Sequence, residues 1–145
     1  MYKSIISRGE FCYATAITTL TTGQTLVPAI NINNDSDFEV NEIRAQIMFP
    51  ATGIDAVTSS VTMLASLASG ELFSNVAINL LAFASQAFIL AANNSQNFSG
   101  YPIRLPVGMV IPANSQINHT LTNNTSGTVT AQIQYWGCKV PRSQS

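Results

Sequence analysis

The chain has 145 residues, of which 46 % are hydrophobic and only 9 % are charged, whereas about 25 % are charged in an average globular domain. Its formal net charge of −1 and its six scattered basic residues speak against binding nucleic acid through the phosphates, which requires a basic patch. The polar surface must come from Ser, Thr, Asn and Gln, which favour strands and turns over helices.

The length suits one domain with a buried core that needs no disulfide or metal. We therefore expect a single β-sandwich over residues 1–145, with short tails at 1–9 and 141–145. The start "MYKSIISRGEF" has no apolar run of signal-peptide length, so export by that route is not expected. We expect Cys12 and Cys138 to be two buried thiols. The alternative is a disulfide between the first and last strands.

The first half of the chain predicts strands. The segment "FCYATAITTLTTGQTLVPAINI" is rich in Thr and β-branched residues and should form one or two strands with a turn at Gly23. Residues 37–49 alternate as a strand, but the phase changes near Asn41, which requires a β-bulge. A helix beginning with a capping box at Ser36 and Glu39 is the alternative.

The middle of the chain is strongly apolar. Residues 61–75 predict a strand that ends at Gly70, and residues 76–92 predict two buried strands with a turn near Ser85 and Gln86. A membrane-spanning helix is the alternative for 76–92. It is disfavoured because this run of seventeen residues contains three polar residues, whereas a span needs about 20 apolar ones.

The last third predicts an edge strand and a hairpin. Pro102, Pro106 and Pro112 exclude a helix and favour short extended pieces at a sheet edge. Residues 115–137 then alternate as two strands around "NNTSG", which predicts a hairpin. The complete pattern gives about eight strands, and a jelly-roll-like antiparallel β-sandwich is the expected fold.

Most of the acidic residues fall in "NINNDSDFEVNEI", namely Asp35, Asp37, Glu39 and Glu42. The spacing fails the EF-hand pattern, because a loop starting at Asn33 would have Phe and Arg at the sixth and twelfth positions. Asn and Asp here fit a turn that leads into the strand. No metal and no cofactor is therefore predicted; a looser calcium site at Asn33, Asp35 and Asp37 is the alternative.

The sequence also predicts that the chain is not an enzyme. His119 shares a strand face with Ile117 and Leu121, as a packing histidine would, and no nucleophile elbow, zinc motif or phosphate loop is present. Tyr101 and Trp136 are candidate contact residues. They favour a subunit contact, and the alternative is a sugar-binding face.

Three segments, "LVPAININNDSDFEVNEIRAQI", "SGELFSNVAINLL" and "YPIRLPVGMVIPANSQINHTLTNNTSGTVTAQIQYWGCKV", resemble the small jelly-roll virion proteins of tailed bacteriophages. The shared features are an "NNDSDF" start to a strand, a central Gly-Glu-Leu piece and a closing Pro-rich segment. They span roughly residues 25–140 and carry no catalytic residue.

The resemblance implies a structural role: decorating or stabilising a capsid, or forming part of a vertex, collar or spike. It implies location in the virion, after assembly in the host bacterial cytoplasm. Expected partners are other virion proteins and copies of the chain, in a homo-oligomer, with neither nucleic acid nor membrane. The alternative is a carbohydrate- or receptor-binding β-sandwich module.

Overall fold

The computed structural model describes residues 10–49, 61–80, 84–90, 95–98, 102–125 and 127–141. Apart from Pro141, the predicted tails lie outside these residues. The described part of the chain contains twelve strands: β1 (Glu10–Ala14), β2 (Thr18–Leu20), β3 (Thr25–Leu26), β4 (Ala29–Asn31), β5 (Asp37–Phe49), β6 (Val61–Leu67), β7 (Ile78–Asn79), β8 (Ala84–Leu90), β9 (Ser95–Phe98), β10 (Ile103–Ile111), β11 (Gln116–Asn123) and β12 (Val129–Val140).

The strands form two sheets packed against each other. Sheet A contains β1, β2, β5, β8, β9, β10 and β12, and sheet B contains β3, β4, β6, β7 and β11. Short strands share a row where they pair with successive parts of one long strand: β1 and β2 both lie along β12, and β3 and β4 both lie along β11. Sheet A includes one parallel pair, β5 with β8.

When short strands that share a row are counted as one strand, the order of the strands is that of a jelly roll. Sheet A has the order β1/β2, β12, β5, β10, and sheet B has the order β3/β4, β11, β6, β7. The chain changes sheets after β2, β4, β5, β7, β10 and β11, the alternation that generates two interlocked Greek keys. The predicted all-β sandwich is confirmed. These eight rows match the predicted number of about eight strands. The β8–β9 hairpin adds to them: β8 pairs with β5 in the same row as β10, and β9 forms a ninth row.

The predicted bulge in β5 is also confirmed. The register of β5 against β12 shifts so that Glu42 and Val40 oppose Trp136 and Gly137 in succession, and Asn41 is skipped. The extra residue moves Phe38 and Val40 to the same buried side as Ile43 and the rest of the strand. The capping-box alternative is therefore wrong, because the segment is a strand throughout.

Three local predictions were wrong. The segment at residues 11–32 was expected to form one or two strands, and it contains four, β1 to β4. Residues 115–137 do form two strands, but β11 and β12 lie in different sheets, so the connection is a crossover rather than a hairpin. The turn expected near Ser85 and Gln86 does not occur, because β8 runs continuously through both residues. In the part of the chain that the structure describes, no helix is long and apolar enough to cross a membrane.

Both glycine turns were placed correctly. Gly23 and Gly70 have positive φ angles of 75° and 105°, a conformation that costs glycine little because it has no Cβ. The proline-containing strand β10 pairs with β5 at a sheet edge, and its register shifts between Arg104 and Met109, the stretch that contains Pro106. The edge position agrees with the prediction, but β10 is one strand of nine residues and not the short extended pieces that were expected.

The core lies between the sheets and is filled from both. Alternating residues of β12 and β11 point inward, so Ile133 and Tyr135 of sheet A meet Ile117 and Leu121 of sheet B, all with 0 % exposure. At one end Phe11, Tyr13 and Phe38 pack edge to face, with centroids 4.9 and 4.8 Å apart for the two pairs that include Tyr13. This rigid core leaves the outward positions of each sheet free to carry function.

Candidate functional site

The outward side chains of β5 and β12 form two parallel rows on the exterior of sheet A. The antiparallel register sets each residue of β12 beside one of β5, and the inward neighbours of these residues are buried. The surface is about 20 Å long, because six residue steps along a strand separate its two ends. We call it the β5–β12 track; its residues are Thr130, Gln132, Gln134 and Trp136 on β12, and Met48, Gln46, Arg44 and Glu42 on β5.

A chain of hydrogen bonds orients the amides of the β5–β12 track. Trp136 Nε1 donates to Gln134 Oε1 at 3.0 Å, and Gln134 Nε2 donates to Gln132 Oε1 at 3.1 Å. Gln132 Nε2 then donates to the Thr15 carbonyl at 3.1 Å. Since the indole can only donate and the carbonyl can only accept, the direction of both amides is fixed. Each glutamine keeps one N–H and one oxygen lone pair for a ligand.

Arg44 joins this chain to a charge pair. Its guanidinium carbon lies 4.8 Å from the centroid of the Trp136 ring, within cation–π range. Its Nε and Nη2 donate to the two carboxylate oxygens of Glu42 at 2.7 and 3.2 Å. This bidentate bond holds the pKa of Glu42 below its usual value and raises the pKa of Arg44. Both groups are therefore charged at neutral pH, and the stack is held in one geometry.

A groove of about 270 Å³ continues the β5–β12 track at its Thr130 end. Two exposed apolar side chains contribute to it, Ile17 and Met48, which are 70 % and 42 % accessible. The remaining lining residues are Gln46, Ile47, Thr130, Ala131 and Gln132. This volume lies below the range typical of drug-sized ligand pockets, so the groove would take one side chain or one small ring.

The structure assigns the acidic residues to structural roles. Asp35 forms a 3.0 Å ion pair with Lys139, whose ammonium also lies 4.4 Å from the centroid of the Phe11 ring. The hydrogen bond from Lys139 lowers the pKa of Asp35. Asp37 Oδ1 accepts a 2.9 Å bond from the backbone N–H of Ala113 and so ties the start of β5 to the turn before β11.

These acids do not converge on a point. In the described ranges, no three His, Cys, Asp or Glu side chains are grouped so that they could hold a metal ion. The backbone N–H of Asn33, the third member of the looser calcium alternative, donates to the Tyr13 hydroxyl at 3.2 Å. The segment acts as the turn that the sequence predicted.

His119 lies in the core, as predicted. It is 0 % exposed, with Nδ1 3.0 Å from the Pro28 carbonyl and Nε2 2.8 Å from the Tyr135 hydroxyl. Burial lowers its pKa to about 4. The ring is therefore neutral at pH 7 and serves as a link between the sheets.

The two cysteines lie on neighbouring strands without forming a disulfide. Cys12 pairs with Trp136 and Cys138 pairs with Glu10, so the cysteines are diagonal neighbours on β1 and β12. Diagonal Cα separations of about 7–8 Å exceed the usual disulfide range. Burial raises the pKa of the Cys12 thiol, which keeps it protonated.

Of the two predicted contact residues, Trp136 lies in the β5–β12 track, half-buried beneath polar neighbours, and Tyr101 lies outside the described residues. Sequence reasoning missed Arg44 and Glu42 as the surroundings of Trp136, and Ile17 as part of the groove at the other end of the track. Strand alternation puts residues 42 and 44 on one face, as it does 134 and 136. Only the β5–β12 register, which joins residues about 90 apart in the chain, shows that these two faces are the same surface.

No family model, curated protein or solved structure matches the chain. The fold and the site together define a class of protein: an all-β jelly-roll sandwich that presents an ordered aromatic and amide track on one face.

Proposed function

We propose that this chain is a bacteriophage virion structural protein, which decorates or stabilises the capsid or forms part of a vertex, collar or spike assembly. It acts in the virion, bound to other virion proteins and to copies of itself, and neither nucleic acid, membrane nor catalysis is part of its role. The sequence resemblance to small virion proteins of tailed phages supports this proposal. The jelly roll does so by analogy, because capsid domains often have this fold.

One observation carries the proposal: the β5–β12 track carries the Trp136–Arg44–Glu42 stack at one end and a groove with exposed apolar walls at the other. Trp and Arg are the residues most enriched at protein interface hot spots. A large rigid ring offers contact area at little entropic cost, and the Glu42 carboxylate preorganises the guanidinium. Ile17 and Met48 add apolar surface at the Thr130 end of the same track. A protein partner could cover both at once.

Docking through this face would depend on desolvation more than on long-range charge. The β5–β12 track has one internally paired cation and anion, and its other side chains are neutral; the exposed Arg104 of β10, paired with Glu42, lies at its border. Binding strength would come from burying the indole and the groove walls while the amides exchange water for partner groups. The sandwich behind the face, with its fully buried core, would act as a rigid spacer.

A particle-binding experiment tests the proposal. Phage particles assembled without this chain would be mixed with the recombinant protein and sedimented. Wild type should co-sediment, and Trp136→Ala should weaken binding at least about tenfold, the loss expected for one hot-spot residue. Gln116→Ala, an exposed position on sheet B, is the matched control and should bind like wild type. Equal binding by Trp136→Ala would remove the β5–β12 track from the docking model.

A neutral glycan is the second candidate partner for the same face. The specific observation is the oriented amide pair, since Gln132 and Gln134 each keep one donor and one acceptor that could meet sugar hydroxyls beside an aromatic ring. Against it, Arg44 already lies over the Trp136 ring, where a sugar would stack. A glycan array distinguishes the glycan from the protein partner. Sugar binding that is lost in Trp136→Ala supports a receptor-binding role, and the absence of any sugar binding favours the virion role.

A further inference from the structure

The charges of this molecule are segregated between the two sheets. Within the described strands, every Asp, Glu, Lys and Arg belongs to sheet A, on β1, β5, β10 or β12. The strands of sheet B carry none, and their single titratable histidine is buried and neutral. The nearest acid in that region, Glu71, lies in the connection from β6 to β7, outside the strands.

The outer surface of sheet B is a regular array of small polar groups. One complete rung crosses the sheet, with Thr25 beside Thr122, Thr122 beside Thr62 and Thr62 beside Asn79. The hydroxyls of Thr25 and Thr122 lie 3.0 Å apart. A second rung runs from Ala29 through Asn118 and Ser66 to Leu72. The remaining outward positions of β11, Gln116 and Thr120, are exposed.

Apolar groups are interspersed in this array. Val27, between β3 and β4, is 54 % exposed, and Leu72, paired with Ser66, is 57 % exposed. Charged residues are depleted in the buried core of a protein interface, and the strands of sheet B carry none. A solvent-facing surface normally uses Lys and Glu to prevent association. Sheet B lacks that protection on all five of its strands.

We infer that the outer face of sheet B is a self-association surface that binds the same face of a second copy of this chain. A two-fold contact requires self-complementarity, since each group meets a group from the identical patch. Hydroxyls and amides are both donors and acceptors, so they can satisfy their own kind. A patch with net charge would instead repel its copy.

The other sheet makes a poorer partner for this face. Stacking sheet B of one copy on sheet A of another would cover the Arg44–Glu42 pair with groups that carry no charge, and desolvating an ion pair is costly. Face-to-face stacking of two B sheets has no such cost. Thr, Ser, Val and Asn are also short and lose little conformational entropy when they are fixed, compared with Lys or Glu. The inference concerns a different face from the one proposed to dock on particles, so either can fail alone.

Sedimentation velocity of the full chain over a range of concentrations tests the inference. Wild type should self-associate, and added salt should not dissociate it, because no charges face each other. Thr120→Lys places an ammonium on the exposed middle of the central strand β11 and should weaken association at least about tenfold. Thr19→Lys, at an exposed position of strand β2 in sheet A and outside the β5–β12 track, is the matched control and should associate like wild type.

Mixing variants makes the test specific for a face-to-face contact. Thr120→Lys and Thr120→Glu chains should each be impaired alone but should associate with one another, since opposite charges then meet across the interface. Gln116→Lys serves as a second charge insertion if Thr120→Lys does not fold by circular dichroism. Wild type that stays monomeric at all concentrations would overturn the inference. Weakening of association by Thr19→Lys, with no effect of Thr120→Lys or Gln116→Lys, would also overturn it.

Discussion

The imidazole of His119 in sheet B accepts a hydrogen bond from the hydroxyl of Tyr135 in sheet A, with 2.8 Å between Nε2 and the oxygen. The Pro28 carbonyl, 3.0 Å from Nδ1, can only accept, so Nδ1 carries the proton and Nε2 is the acceptor. Burial raises the pKa of Tyr135, so its hydroxyl stays protonated and donates. This is a direct polar link between the two sheets inside the core.

The link predicts that stability falls in mild acid. A histidine in the unfolded chain takes up a proton near pH 6.5, whereas His119 in the folded chain does so only at a pH of about 4. Between these values the unfolded chain binds more protons, so the free energy of unfolding should decrease as the pH falls from about 6.5 to about 4, by roughly 3 kcal/mol in total. Urea denaturation at a series of pH values measures the slope.

The double variant His119→Leu, Tyr135→Phe is the control for this slope. It removes both partners of the hydrogen bond and so leaves neither one unpaired. Its loss of stability should therefore be smaller than the sum of the losses in the single variants Tyr135→Phe and His119→Leu. Asp35 and Glu42 have lowered pKa values and remain ionised in the upper part of this window. An unchanged slope in the double variant would show that another group controls acid stability.

The bulge at Asn41 predicts a strict requirement for glycine at position 137. A Cβ at Gly137 would overlap the carbonyl oxygen of Glu39. Because the clash is with backbone, Gly137→Ala should destabilise the fold by about 3 kcal/mol or more. Gly23→Ala, with a φ of 75° and no atom near the added Cβ, should lose only about 1 kcal/mol. Similar losses in thermal or urea unfolding would contradict the bulge geometry.

The crossover from β11 to β12 predicts a large effect at Asn123. Its buried amide nitrogen donates to the carbonyls of Leu20 and Gly127 at 3.0 and 2.8 Å, and its oxygen accepts from the backbone and hydroxyl of Thr125 at 2.9 and 2.6 Å. Asn123→Ala should lower the free energy of unfolding by about 2–4 kcal/mol, because several buried groups lose their partner.

The exposed Asn31 of β4 is the comparison, and Asn31→Ala should change stability by less than about 0.5 kcal/mol. If both variants unfold at the same urea concentration, Asn123 does not stabilise the crossover from β11 to β12.

The turn at the start of β5 predicts unequal roles for two acids. Asp37→Ala should destabilise the fold more than Asp35→Ala, because Asp37 binds the Ala113 N–H whereas Asp35 makes only an exposed ion pair and a long contact with Ser36. Calcium should leave the melting temperature of wild type unchanged. A calcium-dependent rise that both substitutions abolish would instead establish the looser calcium site.

Much of the fold could be predicted from local patterns. The alternation in β12 and β11 identified their buried faces, and the phase change in residues 37–49 located the bulge to within a residue of Asn41. Positive-φ glycines marked two turns. These succeeded because alternation and turn chemistry act between neighbours in the chain.

Pairing between strands could not be predicted in the same way. The "NNTSG" segment has hairpin chemistry, but the four hydrogen bonds of Asn123 hold the chain in a crossover between sheets, and one of them goes to Leu20, which is distant in the sequence. The continuity of β8 through Ser85 and Gln86 depends on its parallel pairing with β5. The Arg44–Trp136 contact likewise exists only through the β5–β12 register.

Salt dependence offers a further check on the docking model. If the proposed binding to particles rests on the indole, the amides and the apolar groove, then raising the ionic strength should change the bound fraction little, because buried apolar contacts are not screened. Co-sedimentation across a salt series measures this. Release at moderate salt would favour a docking surface made of exposed charges elsewhere on sheet A.

The most direct test of the proposed virion role is mass spectrometry of purified phage particles from cells that express this chain. We predict that its peptides co-purify with the major capsid protein through density-gradient and size separation, at a fixed ratio corresponding to many copies per particle. The chain's presence in the lysate together with its absence from the purified particles would contradict the virion role.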